Sequence, residues 1–262
     1  MNRIETTLKK LESNGKKALI TYITCGDGGY ETTEAAVLEM IDSGADIIEI
    51  GIPFSDPIAE GPVIQAASQR ALIGGTTLAG TFEMAERLRK KTDVPLIFMM
   101  YMNSIFGFGT ERFFEKCAEV GIDGVIVPDL PYEERDEIKD AADKNNVISI
   151  SLITPASADR MEKIAKDARG FVYCVSSNGV TGMRSAFKTD FESFISEIKK
   201  YTDIPCAIGF GISGAKQAAE IKKYCDGIIV GSAIVDIVGK HGKDSVAEIG
   251  KLTSDLRQAI DS

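Results

Sequence analysis

Histidine is nearly absent from this chain, its cysteines form no pairs, and long apolar runs are missing. The one histidine, His241, lies beyond the last strand-like run, so a His-rich site for a divalent metal cannot be built. Five cysteines (Cys25, Cys117, Cys174, Cys206, Cys225) are odd in number, widely spaced and without a C-x-x-C pair, which points to neither a disulfide framework nor a zinc site and fits a reducing cytoplasm. Cys25 and Cys174 stand near strand ends without a histidine base nearby in sequence, and read as small packing residues. No segment reaches the roughly 18 uninterrupted apolar residues of a membrane span. The N-terminal "MNRIETTLKKLESNGKK" has no apolar h-region or cleavage site, so a soluble protein without a classical export signal is expected. Positive charge is also in deficit: 30 basic against 39 acidic residues leave a net charge of −9. No basic stripe of the kind that binds phosphate backbones is found, so a nucleic-acid surface is not expected. An anionic small substrate then needs local donors.

What is present is ordinary in amount and strongly patterned. Apolar residues are 44% and charged residues 26% of 262, as in a globular protein with a real core. Eight short β-branched runs recur, each bounded by Gly, Asp or Pro: "ALITYIT" from 18, "DIIEIG" from 46, "PLIFMM" from 95, "DGVIVP" from 123, "VISISLI" from 147, "GFVYCVS" from 170, "PCAIGF" from 205 and "DGIIVGS" from 226. Between them lie stretches of helical periodicity. In "SADRMEKIAKDA", Met161, Ile164, Ala165 and Ala168 repeat at three and four residues. Strand then helix, eight times, predicts an α/β fold, a (β/α)8 TIM barrel, with an additional N-terminal helix. The rival open doubly wound sheet lacks its G-x-G-x-x-G after the first strand, where "CGDGGYETT" stands instead. No linker divides the chain, so residues 1–262 are expected to form one domain. The long interval between the second and third runs predicts a functional loop plus one or two helices from about Gly61 to Lys91, and the eighth run opens a further short helix.

In such barrels, polar residues late in a strand face the active site at the strands' C-terminal ends. Glu49 is late in the second run, and alternation puts Ile48 and Ile50 on one face and Ile47, Glu49 and Gly51 on the other. If the Ile48 and Ile50 face packs on helices, Glu49 points into the barrel mouth. Among aliphatics its pKa rises, which suits a group that gives and takes a proton near neutrality. The alternative is a structural carboxylate held by hydrogen bonds from neighbouring strands. Glu60 ends "PFSDPIAEGP", a loop shaped by three prolines and a glycine, where a glutamate is either functional or simply solvated, and Asp56 reads as a turn-former. Toward the C-terminus, "SSNGVTGMRS" (176 to 185), "GFGISG" (209 to 214) and "VGSAIVDIV" (230 to 238) follow the last three runs. Glycine loops and a short helix beginning at Ser232 and Ala233 offer backbone N–H groups to an anion, which predicts a phosphorylated substrate. "SSNGVTG" has the composition of a mobile lid. No lysine lies within the eight runs, which weakens a Schiff-base mechanism while leaving a loop lysine open. Carboxylate acid–base chemistry on a phosphate ester remains.

The stretch "GADIIEIGIPFSDPIAEGPVIQAASQRAL" closely resembles the signature of the tryptophan synthase alpha subunit family. "GIDGVIVPDLPYEE", "FVYCVSSNGVTG", "IGFGIS" and "IIVGSAIV" match further family segments in order, so the likeness runs from about Lys17 to Val238. It implies retro-aldol cleavage of indole-3-glycerol phosphate to indole and glyceraldehyde 3-phosphate, with indole channelled to a beta subunit in an alpha2beta2 complex. No cofactor is implied in this chain; pyridoxal phosphate is expected in the partner. By resemblance the catalytic glutamate falls on Glu49, and a second catalytic carboxylate on Glu60, where aspartate is usual. Phosphate-binding positions fall on Gly182, Gly211, Gly231 and Ser232. Pocket positions fall on Tyr22 (usually phenylalanine), Ile64, Met99, Tyr173 and Phe210, with Thr181 as the lid residue orienting an acid. Partner contacts are expected around Pro53, Asp56 and Pro57, with Asn103 and Pro131 nearby. Because Glu60 is one methylene longer than aspartate, two other readings stand beside an active alpha subunit: a subunit that mainly binds and activates its partner, and a free-standing lyase of the same family.

Overall fold

The computed structural model describes residues 1–175, 191–209 and 211–262. The β-branched runs become parallel strands of one sheet: β1 (Ala18–Thr24), β2 (Ile47–Gly51), β3 (Leu96–Met99), β4 (Gly124–Ile126), β5 (Ile148–Ser149), β6 (Ser151–Ile153), β7 (Val172–Val175), β8 (Cys206–Gly209) and β9 (Gly227–Val230). Their order is β5-β4-β3-β2-β1-β9-β8-β7-β6. The eight expected runs all form strands, and among the described residues they count as nine because "VISISLI" changes partner at Ile150: β5 pairs with β4 and β6 with β7. The Ile150 N–H still donates to the Val125 carbonyl at 2.9 Å, so one continuous segment joins the two sheet ends and the barrel closes through it.

Helices alternate with the strands. They are α1 (Arg3–Ser13), α2 (Tyr30–Asp42), α3 (Pro62–Ile73), α4 (Leu78–Arg89), α5 (Met102–Phe108), α6 (Thr110–Val120), α7 (Asp136–Lys144), α8 (Met161–Asp167), α9 (Phe191–Ile198), α10 (Ala215–Ile221), α11 (Ser232–His241) and α12 (Val246–Asp261). The expected N-terminal helix is α1. It begins with a capping box in which Asn2 accepts from the chain while Glu5 reaches back to the Asn2 N–H. The second connection holds α3 and α4, as the 44-residue interval requires. Met161, Ile164, Ala165 and Ala168 are buried, as their spacing predicts.

Period-two alternation sorts each strand between two cores. Ala18, Ile20, Ile47, Ile97, Ile126, Phe171, Ala207 and Ile229 face inward, where Ile4 and Leu8 of α1 join them. Ile4 fits because Gly124 carries no side chain; a Cβ there would lie 2.9 Å from the Ile4 methyl. Leu19, Ile48, Ile50, Phe98, Val125, Ile208 and Ile228 face outward into the helices. Ile48 and Ile50 therefore pack on helices, and Glu49 lies on the interior face.

The aspartates before the strands set the register. At Asp46 the backbone N–H donates to the Leu19 carbonyl (2.8 Å) while the carboxylate accepts from the Leu19 N–H (2.8 Å). Asp123 makes the same two-way clasp with Leu96 (2.9 and 2.9 Å), and Asp226 makes it with Cys206 (2.8 and 2.8 Å). Asp123 is buried and also binds Arg89 and Arg3, each at 3.0 Å, tying α4 and α1 to the strand entry. Removing this carboxylate leaves the Leu96 N–H and the Arg89 guanidinium short of an acceptor, a loss of about 2–4 kcal/mol. Urea unfolding of Asp123→Ala is expected to show that loss, whereas Asp93→Ala, 98% exposed and only 3.9 Å from Arg3, stays within about 0.5 kcal/mol of the parent.

Candidate active site

Glu49 stands opposite Tyr22 in the β1–β2 register and opposite Ile97 in the β2–β3 register. It has no exposed surface, and neither carboxylate oxygen has a hydrogen-bond partner among the described residues. A structural carboxylate clasped by adjacent strands, like Asp46, is thus not what the geometry displays. Burial with nothing to offset it pushes the Glu49 pKa up to about 8.

Two interior tyrosines flank this acid, and each lies across a glycine. A Cβ on Gly51 would sit 2.0 Å from the Tyr22 hydroxyl, and one on Gly209 would sit 2.5 Å from the Tyr173 ring. Only glycine fits either place. Burial raises both phenol pKa values, and the Glu49 charge adds to the effect. The Tyr22 hydroxyl pairs with Thr24 Oγ1 at 3.3 Å, so its buried oxygen has a partner.

Glu60 is half-buried at the end of the loop that follows β2, and its carboxylate accepts a hydrogen bond from the Tyr101 hydroxyl. That hydroxyl also accepts from the N–H groups of Ile58 (3.0 Å) and Ala59 (2.9 Å), and the Tyr101 ring stacks on Phe54 at 4.9 Å. Burial raises the Glu60 pKa, and the Tyr101 bond opposes the rise. Sequence reasoning passed over Tyr101, although a polar group just past the end of the third run was the kind of signal that singled out Glu49.

One cavity brings most of these groups together. Tyr22, Glu60, Ile64, Met99, Tyr173, Gly211, Gly231 and Ser232 line it, with Ala59, Gly209, Ile212 and Ile229. Glu49, fully buried, is not in the lining. Gly211 has φ +53°, a left-handed value that favours glycine, and Gly231 caps α11, whose first N–H groups have no acceptor within the helix. Thr181, Gly182 and Phe210 lie outside the described residues. A larger cavity of about 720 Å³ opens between α7 and α8 over the divided strand, lined by Asp129, Arg135, Ser149 and Arg169 among others. It contains neither acid and no glycine loop, so size alone does not mark the site; the expected partner residue Pro131 lies on its edge. Of the other expected partner residues, Asp56 and Asn103 are exposed, Pro57 is partly so and Pro53 is buried.

The family model described as tryptophan synthase alpha chain matches residues 8–261. The chain belongs to the tryptophan synthase alpha chain family. It is 48% identical over 263 residues to the tryptophan synthase alpha chain of Clostridium kluyveri, covering all of both chains. To that of Alkaliphilus metalliredigens it is 47% identical, over 98% of this chain and 97% of the relative. Among solved structures, tryptophan synthase subunit alpha from Legionella pneumophila superposes with a TM-score of 0.89 at 37% identity, covering 100% and 99% of the two chains. A chain of Mycobacterium tuberculosis tryptophan synthase gives 0.90 at 32% identity, covering 99% and 98%. The activity of the family is a lyase reaction of tryptophan biosynthesis, the cleavage of indole-3-glycerol phosphate to indole and glyceraldehyde 3-phosphate, with a beta subunit as partner in an alpha2beta2 complex.

Among the described residues, no group of three or more His, Cys, Asp or Glu is placed to hold a metal ion, and no helix is long and apolar enough to cross a membrane. All five cysteines are free and buried.

The Glu49 pKa has a consequence for stability. A free glutamate titrates near 4.3, so between that value and about 8 the folded protein holds a proton that the unfolded chain has lost. The stabilisation is full below the lower value and is lost as pH rises through this window, by up to about 1.4 kcal/mol per pH unit. Glu49→Gln removes the slope. In urea unfolding at a series of pH values, the variant is expected to gain stability relative to the parent from pH 5 to pH 8; a constant difference would refute the raised pKa.

Proposed function

We propose that Glu49 and Glu60 carry the cleavage of indole-3-glycerol phosphate in this chain, and that the glycine loops hold its phosphate. What supports this above all is a carboxylate buried in the barrel mouth with no donor on either oxygen. A pKa of about 8 leaves Glu49 able to hold a proton and to release it near neutrality. Protonated, it delivers the proton to indole C3; ionised, it takes the proton of the glyceryl hydroxyl. The bond between C3 and the hydroxyl-bearing carbon then breaks, its electron pair returns to the indole ring, and the hydroxyl oxygen becomes the aldehyde of glyceraldehyde 3-phosphate. Glu60, on the cavity wall, faces the indole N–H and stabilises the positive charge that develops on the ring when C3 is protonated.

Tyr22, Ile64, Met99 and Tyr173 supply apolar surface for the ring. Gly211, Gly231 and Ser232 offer backbone N–H groups, and the dipole of α11 adds its positive end, which answers the need for local donors on an acidic protein. We assign Gly182 to the phosphate, and Phe210 and Thr181 to the pocket and lid, from the family resemblance alone. The beta-subunit face is placed on the loop bearing Pro53, Asp56 and Pro57, with Asn103 and Pro131; exposed Ile58 (73%) and Phe106 (52%) supply apolar contact that the sequence reading did not single out. The chain acts as one domain in the cytoplasm and carries no cofactor of its own, pyridoxal phosphate residing in the partner.

Glutamine at position 49 keeps the shape and removes the proton chemistry. Glu49→Gln is expected to lower indole release from indole-3-glycerol phosphate by at least about 10³-fold, at the upper part of the range for a single acid–base group, with an unchanged circular dichroism spectrum. A folded Glu49→Gln protein that releases indole at the parental rate would overturn the assignment.

A further inference from the structure

We infer that Tyr101 is a positioning residue whose hydroxyl fixes Glu60, and that position 60 is glutamate because the Tyr101 hydroxyl lies beyond the reach of aspartate. The inference rests on the role proposed for Glu60 and deepens it. A phenol has one proton to donate and lone pairs to accept with. Here the N–H groups of Ile58 and Ala59 both point at the oxygen, at 3.0 and 2.9 Å, so its proton has one remaining direction, toward the Glu60 carboxylate. The oxygen cannot follow a shorter side chain. Its ring is stacked on Phe54 at 4.9 Å, and Tyr101 itself is 3% exposed at the N-terminal boundary of α5.

The loop from Phe54 to Glu60 is thus wrapped around one tyrosine, held by a ring at one end and by two backbone N–H groups at the other. The main chain at Glu60 is held from the far side as well, since its carbonyl accepts from Gln65 Nε2 of α3 at 2.8 Å. With the Ala59 N–H and the Glu60 carbonyl both held, side-chain length decides whether a carboxylate meets the hydroxyl. Aspartate withdraws its oxygens by about one C–C bond, roughly 1.5 Å, which takes the contact outside hydrogen-bond range. The carboxylate of such a variant is free to rotate, and its placement against the substrate is lost.

The test is steady-state cleavage of indole-3-glycerol phosphate by the full chain, comparing the parent, Tyr101→Phe, Glu60→Asp and the double variant, with Glu49→Gln as a control. Tyr101→Phe is expected to lower kcat by about 10-fold or more, as misplacement of a catalytic group does, with KM within about twofold. Because the phenol bond opposes the rise in the Glu60 pKa, its loss is expected to move the acidic limb of the kcat profile to higher pH, a change that a merely structural role would not produce. Glu60→Asp is expected to lower kcat as well, and the double variant to fall no lower than Tyr101→Phe, since both changes break one bond. A folded Tyr101→Phe with parental kcat and pH profile overturns the inference, as do losses that multiply in the double variant. Where Tyr101→Phe fails to fold, Glu60→Asp decides alone: an equal or higher kcat overturns the inference. An inactive parent, or an active Glu49→Gln, would instead overturn the functional reading itself.

Discussion

Strand register decides whether this barrel has an active acid at all, and the aspartate clasps hold that register. Side chains alternate with a period of two, so a one-residue slip of β2 against β1 would turn Glu49 outward into the helical core and Ile48 and Ile50 inward. Asp46, three residues upstream of Glu49 and immediately before β2, bonds both backbone groups of Leu19 on β1. At about 3.3 Å per residue, a constraint roughly 10 Å away fixes where the Glu49 carboxylate points. The clasp recurs at Asp123 and Asp226, and Arg257 of α12 reinforces the one at Asp46, at 2.8 Å. At these three strand entries charged side chains are bonded to the backbone, and the acids of the candidate site lie at the opposite end of the strands.

Asp46, Asp123 and Glu49 lie in the same sheet, and in all three burial is the largest influence on the carboxyl, raising its pKa. At the aspartates a backbone N–H and an arginine oppose burial, and the rise is limited. At Glu49 nothing opposes it, and the carboxyl titrates at about 8. The proton chemistry proposed for Glu49 thus rests on a bond that is withheld. A carboxylate supplied with the donors that Asp46 enjoys would stay ionised at neutral pH and have no proton to give.

The same distinction separates what the sequence made legible from what it did not. Strands, helices, the inward face of Glu49 and the placement of Gly211 and Gly231 all rest on local patterns, and these could be read. The division of "VISISLI" was not legible, because the partners β4 and β7, not the residues of the run, determine where pairing changes sides. Nor was the match of Tyr22 to Gly51 and Tyr173 to Gly209, since each pair spans two strands and only the fold lays the tyrosine where a glycine Cβ would stand. Tyr101 escaped for the same reason: its meaning lies in three partners some 40 residues upstream.

Two positions of the site carry residues other than those the family resemblance leads one to expect, and both are accommodated in one way. Tyr22 adds an oxygen to a wall that phenylalanine usually forms, and Thr24, two residues along on the same face of β1, meets it at 3.3 Å. Glu60 adds a methylene to a carboxylate, and the Tyr101 hydroxyl meets it. A buried hydroxyl without a partner costs stability, so Tyr22 alone would be disfavoured and Thr24 makes it tolerable; at Glu60 no polar atom is added, and the Tyr101 hydroxyl meets the carboxylate at its new length. The two differ in what they leave for chemistry. The Tyr22 bond is closed within one strand and leaves the Glu49 carboxylate unpaired, whereas the Tyr101 bond runs from the fixed wall of the barrel to the loop and holds an acid that the loop alone would leave free. One departure is closed within β1, and the other makes the position of the Glu60 carboxylate a property of Tyr101, between β3 and α5, as much as of the loop that carries it.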